Sequence, residues 1–264
     1  MATVHDEIFL SVAISAYNEE KRIGQSIEKI VAFLTNKGYP AEIVVNDDGS
    51  RDRTQEIVRS FAWPRLKIVS SPTNQGKGAG IRNAVLASRG KYILFTDADL
   101  STPIEEVDLL LDKLQNEYDI AIGCRIQPDG FDMRASQPLY RRLFGKLFHA
   151  LTWLFVIRGI ADTQSGFKCL RREAAHDLFS STVLASIIFD VEVLYLAQKR
   201  GYRVAEVPVE WTNAGGSRMR VTAKHATTVI WDLLRIPIIH RGRQEKAPAP
   251  SPASQGENPE GSVS

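Results

Sequence analysis

Two acidic motifs each follow a short apolar segment of the chain, namely Asp47-Asp48 and Asp97-Ala98-Asp99. Aspartates two residues apart, on a turn that leaves a predicted strand, can face one divalent cation. Mg²⁺ and Mn²⁺ prefer such oxygen ligands and keep coordination positions open for phosphate oxygens. Asp97 and Asp99 are therefore candidate ligands for Mg²⁺ or Mn²⁺, and an ordinary strand-ending turn is the alternative that this motif alone leaves open.

The first acidic motif is part of the segment Asn46-Asp47-Asp48-Gly49-Ser50 and has two interpretations. Adjacent carboxylates at the tip of a strand are costly unless something compensates them, and a nucleotide base or a ribose can hydrogen-bond to them. Alternatively, the segment is an Asx turn in which Ser50 caps the following helix. The motif alone leaves both interpretations open.

A glycine-rich segment, Asn74 to Gly80, precedes a predicted helix and includes Gly76 and Lys77. Glycines at such a position could let backbone N–H groups approach a phosphate. The segment is not a Walker A loop, because Gly78 follows Lys77 where Ser or Thr is required. The turn after the first predicted strand, at 17–20, contains no glycine, so a Rossmann fingerprint is also missing. These patterns disfavour a P-loop NTPase and an NAD enzyme.

Strand and helix patterns alternate along the chain and place these motifs at strand ends. Strands are predicted at 8–16, 42–47, 66–70, 92–96, 120–123 and 204–211. Helices are predicted at 20–37, after Ser50, at 76–88, behind a capping box at Thr102-Pro103-Glu105, and at 138–160, 190–200 and 222–240, the last broken near Pro237. This alternation predicts an α/β fold with a mostly parallel central sheet flanked by helices. Ligands then bind at the carboxyl ends of the strands.

Composition indicates one globular domain, predicted at residues 1–240. Of the 264 residues, 44% are hydrophobic and 24% charged, and the net charge of +2 gives no case for nucleic-acid binding. The two cysteines lack metal-site spacing, which favours a reducing compartment. No apolar run is long enough for a transmembrane helix, and the first residues lack a signal-peptide pattern. Residues 241–264 are rich in proline and serine, so we predict a disordered tail.

The order and spacing of the motifs resemble the family 2 glycosyltransferases of GT-A fold over about residues 8–236. The matching segments are Ser15 to Glu20, Val44 to Ser50, Asn74 to Gly78, Asp97 to Leu100, Gly123 to Arg125, Asp162 to Lys168 and Trp211 to Arg218. The last two look most like polyprenyl-phosphate glycosyltransferases, especially the dolichyl-phosphate β-glucosyltransferase type, with dolichyl-phosphate mannose synthases more distant. The resemblance divides the domain into a nucleotide-sugar half at about 8–125 and an acceptor half at about 126–240.

The resemblance implies a role for each matched residue. Asp48 matches the position that contacts the nucleotide base, and Asp47 matches its neighbour near the ribose. The implied nucleotide-sugar site comprises Ala16, Tyr17, Glu19, Asp47, Asp48, Gly76, Lys77, Asp97, Ala98 and Asp99. The implied acceptor-phosphate contacts are Arg125, Arg141, Lys168 and Arg218, and the implied catalytic residues are Asp99, Asp162, Arg125 and Lys168. Ser101 stands where some mannose synthases have a third metal ligand, and its hydroxyl is a poor one.

The implied activity is metal-dependent, inverting transfer of a sugar to a polyprenyl phosphate. The best match for the donor is UDP-glucose, and a UDP-sugar is favoured over a GDP-sugar. Arg125 and Lys168 are expected to be two cations that repel each other until a phosphate binds. A hydroxyl acceptor would instead need a base, for which Asp162 is the candidate, with a scaffold role as its alternative. Rival functions are transfer to a soluble or glycan hydroxyl, a catalytically silent nucleotide-sugar-binding subunit and a nucleotidyltransferase.

The helix predicted at 138–160 bears on the acceptor, because it is basic and rich in aromatic residues. It contains Arg141, Arg142, Lys146 and Arg158, with no acidic residue. Such a helix can lie in the interface of an anionic membrane, or it can pack on the sheet with its cations in water. We therefore expect a cytoplasmic protein that is peripheral on a membrane, with a membrane-anchoring partner or a homo-oligomer as further possibilities.

Overall fold

The structure is a computed structural model, and it describes residues 7–136, 139–212 and 223–242. Its centre is a seven-stranded sheet in the order β3-β2-β1-β4-β6-β5-β7. The strands are β1 (Leu10–Ala16), β2 (Ala41–Asp47), β3 (Leu66–Ser70), β4 (Tyr92–Asp97), β5 (Ile120–Cys124), β6 (Lys168–Arg171) and β7 (Val204–Pro208). Only β6 runs antiparallel to its neighbours among these strands. The prediction of a mostly parallel sheet is confirmed.

Helices cover both faces of this sheet. They are α1 (Ile23–Lys37), α2 (Thr54–Arg59), α3 (Lys77–Ala87), α4 (Val107–Asn116), α5 (Leu139–Phe155), α6 (Arg172–Ser181), α7 (Phe189–Arg200) and α8 (Ala223–Ile239). One apolar core lies between the sheet and helices α1 and α4, and a second lies beneath α3, α6, α7 and α8. Alternate residues of β1 enter opposite cores, and both sides are buried, as in other parallel sheets covered by helices.

The strand register gathers the sequence motifs at one edge of the sheet. On β1, Ser15 pairs with Asn46 of β2 on one side and with Asp97 of β4 on the other. The antiparallel β6 starts beside the end of β4, where Lys168 pairs with Phe95. The loop that precedes β6 therefore arrives at the same edge as the two acidic motifs.

The C-terminal end of helix α8 contacts the first turn of α7. His240 Nε2 lies 2.7 Å from Glu192 Oε1, and both side chains are buried. Glu192 also accepts the backbone N–H groups of Val183 (2.9 Å) and Leu184 (3.0 Å). One carboxylate thus joins the end of α8 to the loop between α6 and α7.

Several local predictions are wrong for identifiable reasons. The Thr102 capping box does not form, because Pro103 is extended (ψ 144°) and a 3-10 turn, Ile104–Glu106, precedes α4. Ser50 does not cap α2, which begins at Thr54. Helix α8 continues through Pro237, two residues from its end, because the preceding turns are held by buried apolar side chains.

Two further elements, β6 and α6, have no counterpart in the sequence-based prediction. The predicted helix at 138–160 is shorter, at Leu139–Phe155. Residues 243–264, most of the predicted disordered tail, lie outside the described residues, and the domain boundary at 240 stays a prediction. Within the described ranges, none of the helices has the length and apolarity needed to cross a membrane.

Candidate active site

The acidic motif at the end of β2 is held by backbone groups of the glycine-rich segment. The Asp48 carboxylate is buried and accepts hydrogen bonds from the N–H of Gln75 (2.9 and 3.1 Å) and of Gly76 (2.9 Å). Asp47 is also buried, and its Oδ1 accepts the N–H of Ser50 at 3.2 Å. The Asp47-Asp48 motif and the glycine-rich segment therefore form one unit. The turn that was the alternative interpretation of 46–50 is present, but Ser50 does not cap the following helix.

The glycines of this segment allow a close approach of the loop at 182–188. A Cβ atom on Gly76 (φ +105°) would lie 2.5 Å from the carbonyl oxygen of Ala185, and one on Gly78 would lie 2.6 Å from that of Leu184. The Gly78 N–H donates to the Ala185 carbonyl at 2.9 Å. Packing between two chain segments thus accounts for these glycines, and the Gly78 N–H is already used.

The Asp97-Ala98-Asp99 turn lies at the end of β4, with both carboxylates partly exposed. Asp97 Oδ1 is 2.5 Å from Lys77 Nζ, and Asp99 Oδ2 is 3.0 Å from Arg22 Nη1. The Ser101 hydroxyl donates to Asp99 Oδ1 at 2.9 Å. Burial alone would lower the pKa of Lys77, but the charges of Asp97 and Asp190 outweigh it and raise that pKa. Lys77 therefore stays protonated beside Asp97.

The donor set at this turn fits a divalent cation whose coordination is completed by a ligand. Asp97 and Asp99 offer hard carboxylate oxygens, which suit Mg²⁺ or Mn²⁺. Within the described ranges, no group of three or more His, Cys, Asp or Glu side chains could hold a metal ion. A cation held here would need further oxygens, such as those of a diphosphate, and would share the carboxylates with Lys77 and Arg22.

Arg22 belongs to the site and was missed in the sequence. Its guanidinium grips the Glu19 carboxylate through two hydrogen bonds of 2.8 and 2.7 Å while it reaches Asp99. Glu19 is itself fixed, because its N–H donates to Thr54 Oγ1 at 2.7 Å. The spacing of Glu19 and Arg22, three residues apart just before α1, was the signal available. Two other residues predicted for the site lie at the same carboxyl edge of the sheet, where Ala16 is buried and Tyr17 is exposed.

Asp162 and Arg125 form a buried ion pair on the other side of the Asp97 turn. Asp162 is 1% exposed and accepts two guanidinium hydrogen bonds from Arg125, each 2.7 Å long, and its backbone N–H at 3.0 Å. Arg134 Nη1 lies 3.5 Å away, and the Arg125 guanidinium faces the ring of Trp211 at 5.6 Å. Burial favours a higher pKa for Asp162, but Arg125 outweighs it and lowers that pKa. Such a carboxylate is a weak base, so the geometry favours the scaffold role.

Lys168 lies deeper than expected. Its side chain is fully buried, and Nζ contacts the Ser165 carbonyl and, at 2.5 Å, Oδ1 of Asp190. Burial lowers the pKa of Lys168 and raises the pKa of Asp190. The expectation of two mutually repelling, unneutralised cations is wrong, because Arg125 and Lys168 each have a carboxylate partner. Asp190 was predicted only as the start of a helix, although an acidic residue among apolar ones was a usable signal.

The loop at 162–167 joins the two halves of the site. A Cβ atom on Gly166 would lie 2.7 Å from Cγ of Asp97, so a larger residue here would displace the Asp97 carboxylate. The backbone of Arg141 is in α5, but its side chain lies outside the described part of the structure. Arg218 also lies outside it. The remaining predicted residues gather at the carboxyl edge of the sheet.

Comparisons with known proteins show which sequences and structures this chain resembles. The family model described as Glycosyl transferase family 2 matches residues 11–179. A dolichyl-phosphate β-glucosyltransferase of Trichomonas vaginalis is 38% identical over 247 residues, covering 89% of this chain and 72% of the relative. The dolichyl-phosphate β-glucosyltransferase of Homo sapiens is 36% identical over 225 residues, covering 80% and 69%.

Solved structures share the fold at low sequence identity. Glucosyl-3-phosphoglycerate synthase from Mycobacterium tuberculosis, in complex with Mn²⁺, UDP and glucosyl-3-phosphoglycerate, superposes with a TM-score of 0.61 at 18% identity, covering 90% of this chain and 81% of that one. A mannosyltransferase from Pyrobaculum calidifontis, in complex with GDP-Man and Mn²⁺, gives 0.56 at 18% identity, covering 87% and 70%. The predicted GT-A fold is confirmed.

Proposed function

Since the chain belongs to glycosyltransferase family 2 and is a hexosyltransferase, we propose that it transfers glucose from UDP-glucose to a polyprenyl phosphate with inversion. The sugar and the acceptor class follow from relatives that are dolichyl-phosphate β-glucosyltransferases at 33–38% identity. One observation carries the proposal. The loop at 162–167 contacts the Asp97 carboxylate through Gly166 and contributes Asp162 to the ion pair with Arg125, so it brings the paired carboxylates of Asp97 and Asp99 next to that ion pair.

In the donor half, Asp97 and Asp99 would hold Mg²⁺ or Mn²⁺. A bound divalent cation supplies Lewis-acid stabilisation of the leaving diphosphate. Lys77 and Arg22 lie within 3.0 Å of the same carboxylates and offer two further positive charges to that diphosphate. Asp48 accepts loop amides, but a carboxylate has about four lone-pair sites, so it retains capacity for the edge of a uracil base. Asp47, Ala16, Tyr17 and Glu19 complete the proposed nucleotide contacts.

In the acceptor half, Arg125 is the first candidate for the acceptor phosphate. Its side chain is 12% exposed, its guanidinium lies against Trp211, and Arg134 contacts the same Asp162 carboxylate. A phosphate is already ionised near neutral pH, so it attacks the anomeric carbon without a general base. Asp162 is committed to Arg125, which supports a phosphate acceptor over a hydroxyl that needs a base. Contacts of Lys168, Arg141 and Arg218 with the acceptor stay predictions.

Helices α5 and α8 supply a surface on which a lipid acceptor could be reached. They pack together and leave large apolar side chains exposed by half or more: Leu143, Leu147, Trp153, Leu154, Phe155, Trp231 and Ile238. Arg142, Lys146, Arg158 and Arg241 are exposed on the same two helices or just beyond them. We propose that this surface rests in the interface of an anionic membrane, which would make the protein peripheral. A membrane-anchoring partner or a homo-oligomer stays a prediction.

The decisive experiment is a donor and acceptor panel. The protein is incubated with UDP-glucose, other UDP-sugars or GDP-mannose, each with dolichyl phosphate, undecaprenyl phosphate or no lipid. The lipid products are then identified by mass spectrometry. We expect a hexosyl-phosphate lipid from UDP-glucose only, and loss of product when a chelator is added. Transfer to a free sugar or glycan in place of the lipid would replace the proposal with the hydroxyl-acceptor function. Binding of UDP-glucose without any transfer would indicate a catalytically silent subunit.

A further inference from the structure

A second buried ion pair lies beneath the loop that joins the two halves of the site. Lys168, the first residue of β6, is fully buried, and Asp190, in the first turn of α7, is 3% exposed. Lys168 Nζ lies 2.5 Å from Asp190 Oδ1, and it also contacts the Ser165 carbonyl oxygen. The pair thus connects α7 to the backbone of the loop at 162–167.

This loop contacts both halves of the site. Gly166 lies against the Asp97 carboxylate, and Asp162 holds the Arg125 guanidinium with two hydrogen bonds of 2.7 Å. A shift of this loop would therefore displace the turn at 97–99 and the Arg125 guanidinium together. Ser165 is the loop residue whose carbonyl oxygen Lys168 contacts.

Stability alone is a poor reason for such a pair. Taking two charges out of water costs free energy, and replacing a buried ion pair by apolar residues of similar volume is often neutral or stabilising. The Lys168 ammonium does one thing that an apolar side chain cannot do, because it donates to the buried Ser165 carbonyl. Asp190 makes a charged lysine tolerable at this position.

We propose that Asp190 is a positioning residue that, through Lys168 and Ser165, fixes the loop at 162–167 against Asp97 and Arg125. The inference rests on the proposed function for the reaction that is measured, but the position of the loop can be tested without substrate. It gives Lys168 a role in holding the loop rather than in direct contact with the acceptor phosphate. Misplacement by about 1 Å of groups that align reactants can cost roughly 100-fold in rate.

The test compares two variants with opposite effects on buried charge. Asp190→Asn leaves Lys168 with a neutral partner and should lower both thermal stability and kcat. The double variant Lys168→Met/Asp190→Leu removes both charges and should recover thermal stability to near that of the wild type. We expect its kcat to stay roughly 10- to 100-fold low, with the KM for UDP-glucose changed by less than about threefold, because the loop is released. Hydrogen exchange of the amides at 162–167 should be faster than in the wild type.

Asp177→Asn is the matched control, because Asp177 pairs with the buried Arg200 at the other end of α7, at 2.8 Å. It should lower stability without changing kcat or the exchange at 162–167. Recovery of kcat together with stability in the double variant, or unchanged exchange at 162–167, would overturn the positioning role. If the wild type glucosylates no polyprenyl phosphate, the proposed function fails, whereas the exchange result still decides the role of Asp190.

Discussion

Removal of the Asp162 charge is the perturbation whose effect can be worked out most directly. Asp162→Asn keeps the shape of the side chain, but an amide oxygen cannot satisfy the three N–H groups that Arg125 presents at 2.7–3.0 Å. One or two charge-assisted hydrogen bonds are lost, each worth about 1.5–3 kcal/mol. Arg125 is 12% exposed, so water recovers part of this loss. We expect the free energy of unfolding to fall by about 2–4 kcal/mol, or roughly 5–15 °C in melting temperature.

The pH dependence gives a second measure of the same interaction. Arg125 holds the folded-state pKa of Asp162 below its usual range, even though burial acts in the opposite direction. A depressed pKa stabilises the folded state above the unfolded pKa, and this stabilisation is lost as the pH falls through the folded pKa. The stability difference between wild type and Asp162→Asn should therefore be constant above about pH 5 and shrink below about pH 4.

Urea unfolding at a series of pH values measures both effects. The control is Asp132→Asn, because this carboxylate also binds an arginine, Arg134, but its side chain is 43% exposed. Its loss should cost no more than about 1 kcal/mol. A loss below about 1 kcal/mol for Asp162→Asn, or a difference from wild type that does not change with pH, would refute the buried ion pair.

Three further changes have distinct expected results. Asp99→Asn should abolish transfer and weaken Mn²⁺ binding in titration calorimetry while the circular dichroism spectrum stays unchanged, and unaltered turnover would disprove the metal assignment. Gly78→Ala should lower the free energy of unfolding by about 1–3 kcal/mol, because its Cβ would meet the Leu184 carbonyl. The control Gly145→Ala has open space around it in helix α5, so in thermal denaturation it should raise the free energy of unfolding by about 0.5–1 kcal/mol. Ile238→Ser, at a side chain 72% exposed, should weaken sedimentation with anionic vesicles without lowering thermal stability, and equal binding would contradict the membrane surface.

The parts of the fold that could be predicted are those in which local pattern and final structure agree. The apolar runs of β2 and β4 end in Asp47 and Asp97, so the sequence alone located the acidic motifs at one edge of the sheet. Strand β6 was missed because it has only four residues, begins with Lys168 and ends with Arg171, and shows no apolar run. Its place in the sheet depends on pairing with β4 and β5, which no local pattern records.

The candidate site was predicted in its residue types but not in its pairings. Asp162, Arg125 and Lys168 were each identified, yet the partner of Lys168 is Asp190, which lies 22 residues later in another element. An exposed fraction of 0% for a lysine side chain can be foreseen only when that partner is known. The packing of the loop at 182–188 on Gly76 and Gly78 is equally non-local, so a phosphate cradle was the natural expectation from the glycines alone.

The contact between His240 and Glu192 has a consequence for how this chain can diverge. The Glu192 carboxylate accepts three hydrogen bonds, two from the backbone N–H groups of Val183 and Leu184 and one from the imidazole of His240, just beyond α8. Replacement of either side chain alone would leave a buried polar group without its partner, so in related sequences the two positions should change together. The loop at 182–188, which packs on Gly76 and Gly78, therefore depends on a side chain that lies beyond α8.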